Sequence, residues 1–196
     1  MRAGLVLAES GLSFVETVIG LRQPDTKAKI AAVAPNRKVP ALLIEGTLVW
    51  DSLAIAETIA ERTGTGWPTT WQDRSQARAL CAEMHSGFVL VRQNLPMDIF
   101  SRSPRAQTFR VDDSSPADLH GEIERFGQIL EAARGPFLFG EWSIADAFFA
   151  PVVTRFLTYQ VPVTTGIQRY FDAVMKRPSV AQWVQKAKSE TAIFHY

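Results

Sequence analysis

One cysteine, Cys81, stands in a chain of 196 residues, so no intrachain disulfide can form. A chain built that way suits a reducing compartment. No apolar run approaches the roughly 20 residues that a membrane-spanning helix needs. Excess charge is also lacking. The formal net charge is +1, which removes the electrostatic argument for nucleic acid or for an anionic membrane surface. The short stretch GLVLA after Arg2 is interrupted by Glu9 and does not make a secretion signal, so a cytoplasmic location is expected. The three histidines, His85, His120 and His195, have no metal-ligand spacing with Cys81 or with acidic residues, so no metal site is assigned. No G-x-S-x-G nucleophile motif occurs, and there is no internal repeat or low-complexity tract. What remains is the composition of a soluble globular protein, 46% hydrophobic and 21% charged.

The most informative stretch runs from Lys38 to Arg62. Val39-Pro40 opens it, and Ala41–Ile44 is an apolar run of strand length. Glu45-Gly46 supplies a two-residue turn, and Leu48–Trp50 is the return strand. Asp51-Ser52 then caps a helix carrying Leu53, Ala56, Ile59 and Ala60 at helical spacing. A helix N-terminus offers free N–H groups and partial positive charge, and the Ser52 hydroxyl adds a donor, so a carboxylate fits there. Asp51 beside it can accept from an ammonium group. An anion site next to an acceptor suits the zwitterionic head of an amino acid. A cis bond at Pro40 would present the Val39 backbone to an extended ligand. The plainer alternative is an ordinary helix cap after an ordinary strand entry.

Around this stretch the periodicity predicts helices over Arg2–Ser10 and Thr26–Ala34, with a strand at Phe14–Ile19 between them. The Gly- and Pro-rich segment TGTGWPTTW marks a boundary. Beyond it the chain reads as helical. A long helix is expected over Gln76–Gln93, bent or ended by Pro96 and Pro104, with a polar loop over Arg102–Ser115. Asp113–Pro116 starts a helix whose stripe is Leu119, Ile123, Phe126 and Leu130. Ser143 and Asp146 have capping-box spacing ahead of a nearly all-apolar helix, Ala147–Thr158. Gly166–Lys176 and Pro178–Lys188 are the last two helices. Phe194, His195 and Tyr196 form an aromatic tail expected to cover the linker or a cleft mouth.

The Val39-Pro40 pair, with Asp51-Ser52 placed so that the acidic residue follows the proline by eleven positions, strongly resembles the glutathione-binding half of the cytosolic glutathione transferases. The Ser143/Asp146 helix entry resembles the second domain of the same family. The segment Ala82–Phe88 resembles a bacterial, Ser-type, zeta-like subgroup. Where the family usually has Glu, this chain has the shorter Asp51. The resemblance implies an α/β plus all-α fold: a thioredoxin-like N-terminal domain at 1–64, a linker at 65–72, and an all-helical domain at 73–196 that forms the electrophile pocket. It implies glutathione as co-substrate, gripped by Lys38, Val39, Pro40, Asp51 and Ser52. His85, Phe88 and Arg92 are the candidates for the electrophile pocket. The implied activity is conjugation of glutathione to a small electrophile, in the manner of a detoxification enzyme, or a glutathione-dependent isomerisation, by a homodimer. A catalytically silent binding or assembly protein of the same fold is the alternative.

The resemblance further implies a first strand and a catalytic loop ahead of the first helix. Met1-Arg2 already falls where that helix begins, so the thioredoxin-like domain is expected to be incomplete, with its catalytic hydroxyl upstream of Met1. No residue present is assigned as catalytic, and Ser10 and Ser13 are not promoted to that role.

Overall fold

A computed structural model describes residues 1–190. They divide into two compact units, one spanning Arg2–Gly66 and the other beginning at Trp67. The aromatic tail at Phe194, His195 and Tyr196 lies outside the described residues.

The first unit contains helix α1 (Arg2–Glu9), helix α2 (Thr26–Val33), strands β1 (Ala41–Ile44) and β2 (Thr47–Trp50), and helix α3 (Ser52–Thr63). The strands form an antiparallel hairpin with Ala41 opposite Trp50 and Ile44 opposite Thr47. Two residues close it. Glu45 at φ 49° and Gly46 at φ 78° both have positive φ, the signature of a type I′ turn, whose twist matches the strands. The Glu45 carboxylate also pairs with Arg62 on α3. Helix α1 packs on α3. Leu5 and Val6 from the first, with Ile55, Ala56 and Ile59 from the second, are buried.

The strand expected at Phe14–Ile19 is not formed. That segment has no regular structure, and Val15 is 94% exposed. β-branched and aromatic content is only a propensity, and a strand exists as a member of a ladder. The sheet among the described residues has two strands, and neither pairs with this segment.

The second unit is helical: α4 (Trp71–Ser86), α5 (Val89–Asn94), α6 (Pro104–Thr108), α7 (Ala117–Glu131), α8 (Ile144–Thr158), α9 (Thr165–Lys176) and α10 (Pro178–Ala187). Helix α8 is buried along nearly its whole length, with Ala147, Phe148, Phe149 and Val153 fully inside. It packs on α4 and α9. Phe126 of α7 is the aromatic centre of the core. Its ring lies 5.5 Å from Phe149, 4.7 Å from Phe156, 6.5 Å from Phe171 and 6.4 Å from Phe88. Ser143 and Asp146 form the expected capping box at the start of α8.

Two further expectations need correction here. The long helix over Gln76–Gln93 is broken in two. The ladder of α4 ends after Ser86 at its C-cap Gly87, which is extended at ψ −162°, and Phe88 takes the left-handed conformation at φ 56° before α5 begins. Pro104 does not end a helix but begins one, α6, inside the segment read as a loop. The missing N–H of proline costs nothing at N1, and Ser103 caps the turn by accepting from the Ala106 N–H at 3.2 Å.

Candidate functional site

At the open end of the hairpin, Val39-Pro40 enters β1 and Asp51-Ser52 leaves β2. The register that sets Ala41 opposite Trp50 therefore brings the two pairs together at the ends of the hairpin strands. The Val39-Pro40 peptide bond is cis. Val39 is half exposed, and among the described residues its backbone N–H and C=O make no hydrogen bond. Both are available to an extended ligand lying along this edge.

Asp51 is the N-cap of α3 and has φ 78°. A non-glycine residue in that region is strained, and it persists only where its surroundings fix it. Here the Asp51 Oδ1 accepts from the Leu53 N–H at 2.8 Å and from the Ala54 N–H at 3.4 Å. The carboxylate thus fills part of the helix N-terminus itself. The Ser52 N–H and hydroxyl stay clear of it and form no hydrogen bond among the described residues. These two donors stand at the positive end of a helix of 12 residues, where an anion is favoured. Sequence reasoning named Ser52 as the donor at this helix end; the structure adds that the Asp51 carboxylate itself accepts from the next two amides, those of Leu53 and Ala54.

Lys38 is exposed, and its N–H donates to Asn36 Oδ1 at 3.0 Å in an Asx turn. That fixes the backbone and leaves the ammonium free to reach outward from the same loop. Ser10 is spent locally: its hydroxyl donates to the Leu7 carbonyl at 2.8 Å and accepts from the Leu12 N–H at 3.2 Å.

The three remaining candidates lie in the helical unit, at the joint between α4 and α5. His85 is half-buried in the last turn of α4. Phe88 is 4% exposed and meets the Phe126 ring edge-on. Its side chain is core. The Arg92 guanidinium turns back onto the end of α4, donating to the Met84 carbonyl at 3.1 Å and to the Gly87 carbonyl. It thereby satisfies carbonyls that the helix end leaves open. Gly87 is required there, since a Cβ would stand 2.9 Å from the Glu83 carbonyl oxygen.

Three residues of α7 hold this joint: Phe126, which the sequence placed on the apolar stripe of that helix, and Glu122 and Arg125, which it did not single out. Glu122 accepts from the Leu90 N–H at 3.2 Å and the Val91 N–H at 2.8 Å. Arg125 grips Glu83 through two hydrogen bonds, at 2.6 Å and 2.9 Å. The Arg125 hydrogen bond holds the Glu83 carboxyl below its usual range, against a smaller opposing effect of burial. Phe126 packs on Phe88. No local signal marks these partners, because each reaches an element more than thirty residues earlier.

Among the described residues, no cluster of His, Cys, Asp and Glu is placed to hold a metal ion, and no helix is long and apolar enough to cross a membrane.

Residues 1–62 match the family model of the glutathione S-transferase N-terminal domain, and residues 94–186 match that of the C-terminal domain. Together these cover more than half of the chain. The chain belongs to the glutathione S-transferase family. Its fold is accordingly a thioredoxin-like N-terminal domain followed by an all-helical C-terminal domain. Among solved structures, it is similar to a glutathione transferase homologue from Burkholderia gl BGR1 with bound glutathione. That pair is 25% identical over 96% of this chain and 91% of the other, with a TM-score of 0.72. A glutathione S-transferase from Anopheles dirus species B has a TM-score of 0.74 at 15% identity, over 97% and 90% of the two chains. A bacterial maleyl pyruvate isomerase of the zeta class has a TM-score of 0.69 at 20% identity, over 97% and 94%. No curated protein matches the sequence.

Proposed function

We propose that this glutathione S-transferase binds glutathione at the hairpin end and joins its sulfur to a small electrophile. Glutathione is the co-substrate, a reading supported by family membership and by the glutathione-bound homologue at 25% identity. The observation that carries it is the pair of unengaged donors on Ser52 beside the Asp51 carboxylate and the open Val39 backbone. The γ-glutamyl carboxylate sits on the Ser52 N–H and hydroxyl. The ammonium group faces Asp51, the cysteinyl backbone runs along Val39 after Pro40, and Lys38 meets the glycyl carboxylate. The fit is chemical: one zwitterionic head, one acceptor next to one anion seat.

The functional domains are 1–64, a linker at 65–72, and 73–196. The helical domain supplies the electrophile side, with His85 as its polar group and Phe88 and Arg92 shaping the turn that carries it. A bacterial, Ser-type, zeta-like member acting as a homodimer in the cytoplasm is the finer assignment, in the service of detoxification or of a glutathione-dependent isomerisation. It draws on the Ala82–Phe88 segment.

The test is calorimetric titration with glutathione, followed by a spectrophotometric conjugation assay with a chlorodinitrobenzene. Binding together with conjugation supports the enzyme. Binding without turnover of this electrophile or of maleyl pyruvate moves the reading to a silent binding protein. No binding removes the site assignment. Sedimentation separates a dimer from a 21.8 kDa monomer.

A further inference from the structure

Helix α5 has no cap of its own. Its N-cap residue is Phe88, whose side chain carries no acceptor, and its second and third amides belong to Leu90 and Val91. Those are the amides that a Ser, Thr, Asp or Asn at the N-cap would ordinarily serve. With six residues the helix is also too short to hold itself. Both amides are taken instead by Glu122 of α7, one by each carboxylate oxygen. One turn further along α7, Phe126 seats the Phe88 ring, so positions four apart on one face of α7 fix both the bend and the helix after it. On the other side of the bend, Arg92 of α5 ties back to the end of α4, next to His85.

We propose that Glu122 is the positioning residue of the electrophile side: it touches no substrate, and it sets the direction of α5 against α4 and so the placement of His85 and Arg92. The inference rests on the reading of the helical domain as the electrophile side. It predicts a split in ligand affinity. Glutathione alone, held by residues of the hairpin, is indifferent to Glu122. A glutathione bearing an apolar chain on sulfur, which also occupies the electrophile side, depends on it.

The experiment compares wild type, Glu122→Ala and Glu122→Gln as full chains. Glutathione and S-hexylglutathione are titrated by calorimetry, and amide exchange is followed at Leu90 and Val91. E122A removes both acceptors. S-hexylglutathione should then bind about tenfold more weakly, the scale of one charge-assisted hydrogen bond, and the two amides should exchange at least about tenfold faster. Glutathione affinity should stay within about twofold. E122Q keeps one acceptor oxygen and should fall between, which serves where E122A does not fold. Equal losses for both ligands, no loss for either, or unchanged exchange at Leu90 and Val91 in both variants would each overturn the proposal while the glutathione reading stands. A wild type that binds neither ligand overturns the glutathione reading and, with it, this role for Glu122.

Discussion

The Tyr170 hydroxyl donates to Asp146 Oδ1 at 3.1 Å inside the helical unit, joining α9 to the cap of α8. Asp146 also accepts from the Leu138 N–H at 3.0 Å, the Ser143 N–H at 2.9 Å and the Ser143 hydroxyl at 3.1 Å. Burial pushes the Asp146 carboxyl above its usual range against these donors, and burial together with the neighbouring carboxylate pushes the Tyr170 phenol well up. Tyr170→Phe leaves the ring in place and removes one donor from a buried carboxylate. It should cost about 1.5–3 kcal/mol, the scale for hydrogen bonds to charged groups, read as a lower urea midpoint with unchanged slope. Asp146→Ala, which strands every donor, should cost more.

At Asp51 two roles can be separated, because one oxygen is committed to the helix. Asp51→Asn keeps an acceptor for the Leu53 amide and loses the charge proposed to meet the glutathione ammonium. It should hold thermal stability near wild type and weaken glutathione binding by about 1.5–3 kcal/mol. Asp51→Ala should show the same binding loss and also lose about 1 kcal/mol of stability with the cap. Calorimetry giving wild-type affinity for both variants would remove Asp51 from the site.

Asp98 predicts an acid-sensitive contribution to stability. Burial pushes its carboxyl up, but hydrogen bonds from Ser103, Arg102 and Phe100 outweigh that and leave it below the ordinary 3.8. A depressed folded pKa means that the stabilisation is complete above the unfolded value and is lost as pH falls through the folded one. Asp98→Asn should therefore be less stable than wild type near neutral pH. The gap should close below 3.8, and urea titrations at a series of acidic pH values would show it.

The hairpin turn offers a conformational test. Gly46 sits at φ 78° with open space around it, so an added Cβ meets no neighbour and any cost is backbone alone. Gly46→Ala should destabilise the protein by about 1 kcal/mol, measured by thermal unfolding.

Much of the site could be read from the sequence because its determinants are local. The type I′ turn needs a glycine at its second position, a cap needs a short acidic side chain before the helix, and the capping box at Ser143 and Asp146 is contained within four residues. Hairpin register then follows from loop length, which alone brings Val39-Pro40 beside Asp51-Ser52. Phe14–Ile19 fails as a strand because pairing is not a property of the segment, and Phe14, Val15 and Val18 stay exposed without a ladder. The α4–α5 break fails for the converse reason. Gln76–Gln93 has a continuous helical stripe that hid Gly87, the extended C-cap where α4 stops, and the restart at Val89 is held by Glu122 and Phe126, on a helix more than thirty residues later. Caps and turns are decided by interactions within a few residues, so composition and spacing determine them. The tertiary structure decided the direction of α5 after the bend, because the acceptor of its Leu90 and Val91 amides, Glu122, is in place only once α7 has packed against α5.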